Sequence, residues 1–387
     1  MPDLRERVQE QSARVREIRR ELHRIPEVGF NEHKTSGYVA GVLRELGVPV
    51  QTGVAGTGVV GVLEGAFSGK TLMIRADMDA LPVTEETGLS FGSTHHGTMH
   101  ACGHDAHMAM ALGAAAALRA LSGELRGCVK FVFQPAEEGP GGARPLIEAG
   151  VLEHPNVDFC VGCHLWPGMP EGQIGVKAGP IMAAMDRFDL KIAGKGGHGA
   201  MPHLCVDALE VGTQVVAALQ RIVSRKMNPL SPTVVTVGTF RAGRAFNVIP
   251  AEADLSGTTR TFDRSVWQSW PERLEQVIRG VCQSMGAQYV FRYTQGYPPT
   301  VNDPAMAEVV RRCAEAVVGP GAVVEPESTM GGEDMSFYLE RVPGCFFFLG
   351  VGREGGTPLH SSTFDFDEGV LATGVETLSR VALELLG

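Results

Sequence analysis

The pattern of apolar and polar positions changes about halfway along the chain. Up to residue 181, helical stretches alternate with continuous apolar runs, which are GVVGVLEG, TLMIRA (71–76), CVKFVFQ (128–134) and VDFCVGCH (157–164). Helices are expected up to about Leu22, over Lys34–Leu46 and over Ala106–Leu121. Continuous apolar strands that alternate with helices are typical of a buried, mostly parallel sheet. The pattern therefore predicts an α/β fold.

A second pattern begins near Met182 and ends near Tyr297. In chain order it predicts a strand (RFDLKIAGK), a helix (Asp207–Arg225), two strands (TVVTVGTF and AEADLSGTTRTF), a helix (Trp267–Met285, interrupted early by Pro271) and a strand (QYVFRYTQG). This β-α-β-β-α-β order is the ferredoxin-like split arrangement. The first pattern then returns with a helix near Ala305–Val318 and the strand CFFFLGV (345–351). We expect a domain at 182–297 inserted into a discontinuous domain made of 1–181 and 298–387.

Composition narrows the class of protein. The chain has 387 residues, 34 Lys and Arg against 44 Asp and Glu, and 44% hydrophobic residues, as in a globular protein with a sizeable core. A net charge of −10 without a basic run argues against a nucleic-acid partner. No export signal is visible, and no apolar run approaches the roughly 18 residues of a membrane span. The eight scattered cysteines are expected as reduced thiols in a cytoplasmic protein.

Side chains that are able to bind a metal lie close to the ends of the predicted strands. Asp77 and Asp79 follow TLMIRA, Glu137 and Glu138 follow CVKFVFQ, His164 closes VDFCVGCH, His360 follows CFFFLGV, and Cys102, His104, Asp105 and His107 precede or begin the Ala-rich helix. In open α/β sheets, sites form outside the carboxyl ends of the strands, so these loops are expected to converge. Thiolate, imidazole and carboxylate are ligands that divalent metals such as zinc accept.

The segment HACGHDAH (100–107) carries several donors together. Gly103 allows a turn that aims Cys102 and His104 at one point, and the nearby helix N-terminus is expected to lower the pKa of the Cys102 thiol. The alternative is a small buried cysteine with histidines that cap the helix. Because further acid- and His-bearing loops accompany the segment, we favour a metal site.

The segment PAEEG (135–139) places two adjacent carboxylates after a buried strand. One can bind a metal while the other takes a proton from water that the ion acidifies, which is the division of labour in metal-assisted hydrolysis. The alternative is a pair of acidic residues at a helix N-terminus, where the helix dipole favours them.

The remaining motifs are weaker taken alone. CVGCH (160–164) has the C-x-x-C-H spacing of covalent haem attachment, but it lies in an apolar strand, so we expect both cysteines in the core and His164 as a strand-end ligand. In the second domain, His198 lies in GKGGHGA, Asn247 in AFNVIP and Arg260 in SGTTRTF. These three are candidates to bind a substrate oxyanion and carboxylate. A turn histidine, a capping asparagine and a surface arginine are the alternative.

Together, the motifs resemble those of the aminoacylase-like metallopeptidase family over nearly the whole chain. They are IRADMDALP, MHACGHDAH, FQPAEEG, GCHLWP, GKGGHGAMPH, AFNVIP, GTTRTF, MGGEDMSFY and PLHSSTF. The most similar branch is that of the amidohydrolases for N-acyl amino acids, hippurate and auxin conjugates. The resemblance implies a zinc-peptidase-like catalytic domain with a mostly parallel mixed sheet and two metal ions, and a ferredoxin-like lid that also forms a dimer.

The resemblance also implies a role for each candidate residue. Cys102 would be shared by both ions, with His104 and His164 completing one site and Glu138 and His360 completing the other; Glu137 would be the general base, Asp79 would orient the site, and His198, Asn247 and Arg260 would contact the substrate. Asp77 and Cys102 stand where the carboxypeptidase and succinyl-peptide branches place a metal-binding His and a bridging Asp. This difference favours the amidohydrolase branch and leaves the role of Asp77 open.

The leading hypothesis is a metal-dependent amidohydrolase that cleaves N-acyl amino acids to a carboxylic acid and a free amino acid. A dipeptidase or metallocarboxypeptidase is the alternative among enzymes, and a non-catalytic binding protein with a retained metal site is the remote alternative. Two ions of Zn²⁺ or Mn²⁺ are expected, and the donors also suit Co²⁺ or Ni²⁺. The resemblance further implies a homodimer, or a tetramer, in which His198 reaches the partner's metal site.

Overall fold

The computed structural model describes residues 2–387, with side chains from Leu4 onward, and divides them into two compact units. The first unit contains the residues up to Ile181, Val301–Glu327 and Asp334–Gly387. The second contains Met182–Thr300 and Ser328–Glu333. The predicted bounds of the inserted domain, 182–297, differ from this division at 298–300 and at 328–333. The catalytic and lid roles assigned to the two domains stay predictions.

The described residues form α-helices and β-strands, each type numbered in chain order. The helices are α1 (Pro2–Arg24), α2 (His33–Glu45), α3 (His104–Ala120), α4 (Ala143–Glu148), α5 (Ala208–Arg221), α6 (Arg264–Ser284), α7 (Pro304–Val318), α8 (Ser336–Leu339) and α9 (Val370–Leu386). The strands are β1 (Val50–Val54), β2 (Gly58–Glu64), β3 (Phe67–Asp77), β4 (Arg126–Gln134), β5 (Phe159–Pro170), β6 (Ile174–Gly175), β7 (Gly179–Met182), β8 (Ala184–Ala193), β9 (Gly197–His198), β10 (Thr233–Ala242), β11 (Val248–Ile249), β12 (Glu252–Thr261), β13 (Gln288–Tyr297), β14 (Thr300–Asn302), β15 (Val323–Val324) and β16 (Gly344–Gly352). Within residues 2–387, no helix combines the length and the apolar character of a membrane span.

The first unit is built on a mixed sheet with the strand order β1-β2-β4-β3-β5-β16-β6-β15. Its central pairs, β4–β3, β3–β5 and β5–β16, are parallel, whereas β1–β2, β2–β4 and β16–β6 are antiparallel. The predicted α/β fold is confirmed, and its sheet is mixed, with parallel pairs at its centre. Asp77 ends β3 directly beside Gln134 at the end of β4, so the segments that follow both strands begin at the same edge of the sheet.

The small side chains of α3 let it lie between α1 and α9. A Cβ atom on Gly113 would be 2.7 Å from Cγ2 of Val15 on α1 and 2.7 Å from Cγ2 of Val375 on α9. Interiors packed this closely do not accept an added methyl group without a shift of the neighbours. Close packing on both sides therefore fixes the position of α3, whose first residue is His104.

A buried cation in β4 is held by backbone carbonyl groups. Lys130 is 1% exposed, and its Nζ donates to the carbonyl oxygens of Val151 at 2.9 Å, Glu153 at 2.7 Å and Pro155 at 2.9 Å. Burial lowers the pKa of Lys130, because it disfavours the charged form. The three bonds tie β4 to the segment between α4 and β5.

The second unit has an antiparallel sheet with the strand order β10-β12-β8-β13. Its elements follow the order β8-α5-β10-β12-α6-β13, and side chains of both helices share one apolar core with the sheet. The expected interruption of the second helix at Pro271 was wrong, since α6 runs through this proline. The buried Trp270 and Leu274 pack in the core on either side of Pro271 and hold the helix together.

Candidate metal centre

A first cluster of donors lies where α3 begins beside β5. Three donor atoms lie within 4.8 Å of one another, one from each of the buried residues Cys102, His104 and His164. The Cys102 Sγ is 3.3 Å from the His164 Nε2. Gly103 forms the expected turn between Cys102 and His104, and its φ of 85° lies in the left-handed region that favours glycine.

Backbone hydrogen bonds orient both imidazole rings of this cluster. The His104 Nδ1–H donates to the carbonyl oxygen of Asp79 at 2.8 Å, and the His164 Nδ1–H donates to that of Leu165 at 2.7 Å. In the neutral ring, such a bond keeps the proton on Nδ1 and leaves the Nε2 lone pair for a metal. Among the described residues, the buried His104 Nε2 has no hydrogen-bond partner.

A second cluster shares Cys102 with the first. Donor atoms of Cys102, Glu138 and His360 lie within 4.8 Å of one another, and the His360 Nε2 is 3.1 Å from the Glu138 Oε1. Burial raises the pKa of Glu138, but its ion-pair contact with His360 and the charge of His104 outweigh burial and lower it. The structure thus brings the five predicted ligands together in two clusters joined at Cys102.

The charges around His104 favour a cation at the first cluster. Burial lowers the pKa of His104, but the negative charges of Asp77, Asp79 and Glu138 outweigh it and raise that pKa to about 10. Burial lowers the pKa of His164 to about 3, which keeps its imidazole neutral, as a metal ligand must be. The donor set and the excess of negative charge therefore fit divalent ions.

The pKa of the Cys102 thiol differs from the prediction. Burial, and then the charges of Glu138 and Glu137, raise this pKa well above its usual value. The expected lowering by the helix N-terminus was wrong because burial and adjacent carboxylates act more strongly on a thiol than a helix dipole does. Coordination to a cation deprotonates a thiol directly, so this environment does not exclude Cys102 as a ligand.

Asp79 holds the turn that carries Glu137 and Glu138. Its Oδ1 accepts the N–H of Glu137 at 2.9 Å, and its Oδ2 accepts the N–H of Glu138 at 3.0 Å. The turn precedes α4, which begins only at Ala143, so the alternative of an acidic pair at a helix N-terminus is wrong. Glu137 is 6% exposed, and a carboxylate oxygen of each glutamate lies within 4.8 Å of a ring nitrogen of His104.

Both carboxylate oxygens of Asp77 are engaged by side chains. Oδ1 accepts the Nδ1–H of His107 at 2.7 Å, and Oδ2 accepts from the guanidinium of Arg75 at 2.9 Å. The His107 Nε2 in turn accepts the N–H of Leu165 at 3.0 Å, next to His164. Asp77 and His107 therefore support the backbone beside a predicted ligand, and both nitrogens of His107 are already occupied.

A buried ion pair behind Asp77 was not predicted from the sequence. The Arg75 guanidinium donates to Asp334 at 2.9 Å, and Asp334 also accepts from the side chain of Gln134 and from the N–H groups of Gly142 and Ala143. The available signal was an arginine within the apolar run TLMIRA, because a buried guanidinium needs an acidic partner. The partner, however, lies 259 positions further along the chain.

Helix α1 reaches the start of α3 through Asp105, the residue after His104. The Asp105 Oδ2 accepts from the Arg19 Nε at 2.8 Å and from the His23 Nδ1 at 2.8 Å, and all three side chains are buried. Burial lowers the pKa of His23, but the charge of Asp105 outweighs it and raises that pKa to about 9. The first turn of α3 is therefore held by a charged contact as well as by apolar packing.

His198 and Asn247 lie close together in the second unit. His198, in β9, pairs with Val248 of β11, and the N–H of Gly199 donates to the carbonyl oxygen of Asn247 at 2.8 Å. Arg260 lies eight positions beyond Glu252, the first residue of β12, or about 26 Å at the rise of an extended strand. The structure thus brings His198 and Asn247 together. Asn247 lies five positions before the start of β12, whereas Arg260 lies near the end of that strand.

His164 and the two cysteines of CVGCH lie inside a longer strand than predicted. β5 continues to Pro170, so His164 is not at the end of the strand. The pairing of β5 with β3 ends at Gly162, two residues before His164. β5 extends past His164 because its pairing with β16 continues to Pro170. Cys160 and Cys163 are buried in this strand, as expected for core residues.

Comparison with known proteins gives a consistent set of relatives. A sequence profile described as peptidase family M20/M25/M40 matches residues 73–384. The N-acyl-L-amino acid amidohydrolase of Geobacillus stearothermophilus is 46% identical over 285 residues, which cover 73% of this chain and 76% of that protein. Thermostable carboxypeptidase 1 of Saccharolobus solfataricus is 40% identical over 375 residues, 95% of this chain and 94% of that protein. A solved Bacillus subtilis structure, described as a dinuclear metal binding peptidase from the M20 family, has a TM-score of 0.85 at 36% identity and covers 98% of this chain and 99% of that chain.

Proposed function

Because the chain belongs to peptidase family M20/M25/M40, we propose that it is a metal-dependent amidohydrolase that cleaves N-acyl amino acids to a carboxylic acid and a free amino acid. The predicted family is confirmed, and so is the predicted class of hydrolase acting on amides. The observation that carries the proposal is a buried carboxylate, that of Glu137, beside two donor clusters that share one thiol.

The two clusters supply the ligands in this proposal. Cys102, His104 and His164 would hold one divalent ion, and Cys102, Glu138 and His360 would hold the other. When bound, the ions would polarise the scissile carbonyl and acidify the attacking water. Zinc or manganese is proposed on the donor set, which also suits cobalt or nickel.

The chain's own residues would move the proton and orient the substrate. Glu137 takes a proton from the attacking water and gives it to the amide nitrogen as the C–N bond breaks, so the amino acid leaves as a neutral amine. His198 donates a hydrogen bond to the tetrahedral oxyanion, assisted by Asn247. Arg260 presents a planar guanidinium to the substrate carboxylate. Asp79 keeps the backbone of Glu137 in place.

The proposal extends to the assembly and the compartment. We place the enzyme in the cytoplasm as a homodimer or tetramer that acts on a small-molecule substrate. All eight cysteines are free among the described residues, which suits a reducing compartment.

A panel of substrates tests the proposed function. The purified chain, stripped of metal and reloaded with Zn²⁺ or Mn²⁺, is expected to hydrolyse acetyl, benzoyl or indoleacetyl amino acids and to lose this activity in excess chelator. The matched control is the same N-acyl amino acid with its carboxylate converted to an amide, which is expected to react poorly because Arg260 has no anion to bind. Cleavage of no member of the panel would contradict the proposal.

A dipeptidase or metallocarboxypeptidase is the second candidate, and a similar protein named as a carboxypeptidase favours it. A dipeptide carries a free ammonium group on its acyl portion, which an N-acyl amino acid lacks. Dipeptides with the same C-terminal residues therefore belong in the panel. Faster cleavage of the dipeptides than of their N-acyl counterparts would replace the first proposal with this one.

Mixed dimers test whether His198 acts on the metal centre of its partner. Glu137→Ala and His198→Ala subunits are each expected to be nearly inactive. If His198 acts in trans, a mixed dimer holds one site with both residues intact and one site lacking both. Random reassortment makes about half of the dimers mixed, so about a quarter of the parent activity is expected to return.

The outcome is read only after subunit exchange is demonstrated. One parent carries an affinity tag, and recovery of the untagged parent with it measures exchange. When exchange is complete and the mixture stays inactive, His198 does not act on the partner's site.

A further inference from the structure

A buried glutamate outside the donor clusters binds the turn that carries Glu137. Glu32 is 0% exposed, and its Oε1 accepts the N–H of Ala136 at 2.9 Å. Its Oε2 accepts the hydroxyl hydrogen of Thr57 at 2.5 Å. Both oxygens of this carboxylate are therefore used within the protein, and neither belongs to the clusters described above.

Glu32 and Asp79 together engage three successive backbone N–H groups. Ala136 donates to Glu32, whereas Glu137 and Glu138 donate to the two oxygens of Asp79. Ala136 has a φ of 54°, a left-handed conformation that alanine adopts only when its surroundings enforce it. Successive N–H groups in such a turn form a concave anion-binding site, and here two carboxylates of the chain occupy it.

The segment before Glu32 is packed directly against the same turn. A Cβ atom on Gly29 would lie 2.9 Å from the Cβ of Ala136 and 3.0 Å from the carbonyl oxygen of Gly139. The N–H of Ala80, next to Asp79, donates to the carbonyl oxygen of Glu27 at 2.8 Å. The two segments that carry the carboxylates are thus bonded to each other as well as to the turn.

We propose that Glu32 is a positioning residue for the general base. By holding the N–H of Ala136, it keeps the left-handed turn closed and so fixes where the carboxylate of Glu137 stands relative to the two donor clusters. This inference rests on the proposed function, since it takes Glu137 as the group that accepts the proton. The hydrogen bonds of the Glu32 carboxylate go to Ala136 and Thr57, neither of which is a predicted metal ligand or substrate contact.

Replacement of Glu32 by alanine is expected to lower kcat by about 10- to 100-fold while KM changes little, because misplacement of a reacting group slows the chemical step. Glu32→Gln is expected to restore most of the parent kcat. Its amide oxygen still accepts the Ala136 N–H, and its amide N–H can donate to the Thr57 hydroxyl, which is able to accept. If Glu32 served only to fill the interior, the two variants would have similar kcat values.

Lys130→Met is the matched control for loss of stability. Lys130 is buried in β4, the strand that leads into the turn, and it makes three backbone hydrogen bonds to the segment between α4 and β5, which contains none of the predicted ligands. We expect this variant to lower Tm and leave kcat within about twofold of the parent, since no reacting group moves. Similar losses of kcat in Glu32→Ala and Lys130→Met would overturn the positioning role.

Hydrogen exchange of the backbone supplies a readout that does not depend on activity. In the metal-free and in the metal-loaded protein, peptides covering 131–141 are expected to exchange faster in Glu32→Ala than in the parent and in Glu32→Gln. If Glu32→Ala does not fold, Thr57→Val takes its place, because it removes one anchor of the Glu32 carboxylate. Unchanged exchange of this segment in the folded variant would overturn the proposal.

Failure of this inference is separable from failure of the proposed function. Should the parent cleave no acyl amino acid or dipeptide, the enzymatic proposal fails, and the exchange experiment still decides whether Glu32 holds the turn. Should the parent be active and Glu32→Ala keep both its kcat and its exchange pattern, only the inference about Glu32 is wrong.

Discussion

Glu137→Gln is expected to keep both metal ions and to lose turnover by about 10²–10⁴-fold, the usual contribution of a general base. The amide has the size of the carboxylate and still leaves the backbone N–H of Glu137 bonded to Asp79. It cannot accept a proton from water, so the loss falls on kcat. Metal content by elemental analysis and kcat measured on the same sample check this prediction.

Glu138→Gln is the matched comparison, since it makes the same chemical change one residue further along. Glu138 belongs to the cluster with Cys102 and His360, so this variant is expected to bind one of the two ions more weakly. If instead Glu137→Gln loses metal and Glu138→Gln does not, the two glutamates have been assigned the wrong way round.

Cys102→Ser is expected to weaken the binding of both ions at once. No other single substitution among the five predicted ligands should do so. Cys102 is the one residue present in both clusters, and a neutral hydroxyl is a much poorer ligand than a thiolate. With Co²⁺ as the probe, the sulfur-to-metal absorption in the near ultraviolet is expected to disappear, and titration should show weaker binding at both positions.

Cys205→Ser controls for the exchange of sulfur for oxygen. Cys205 lies in the second unit and belongs to neither cluster, so this variant is expected to bind both ions as the parent does. Two tightly bound ions in Cys102→Ser would show that the thiol does not bridge them.

The sequence was informative where the chemistry is local. The alternation of apolar runs and helices predicted the sheet, and the position of donors after β3 and β4 and before α3 predicted which segments converge. A glycine between Cys102 and His104 predicted a turn, and the φ of Gly103 is positive. Each of these inferences needed only neighbouring residues and the general geometry of parallel sheets.

Contacts between distant segments were not predictable in the same way. Arg75 and Asp334 pair across 259 positions, and Glu32 binds Ala136 across 104 positions, with nothing in either local motif to identify the partner. The prediction for the pKa of Cys102 was wrong for a related reason. This pKa depends on burial and on carboxylates from another loop rather than on the helix that follows Cys102. The extent of β5 depended on β16, which lies nearly two hundred residues later.

The contact of α1 with Asp105 lies partly outside the residues that the family profile matches. The matched region, residues 73–384, begins after α1, yet Arg19 and His23 of that helix neutralise the carboxylate beside His104. A fragment trimmed to the matched residues would leave Asp105 without its partners Arg19 and His23 and would uncover the apolar side of α3 around Gly113. The family profile therefore covers less of the chain than the packed first unit does, and α1 belongs to that unit.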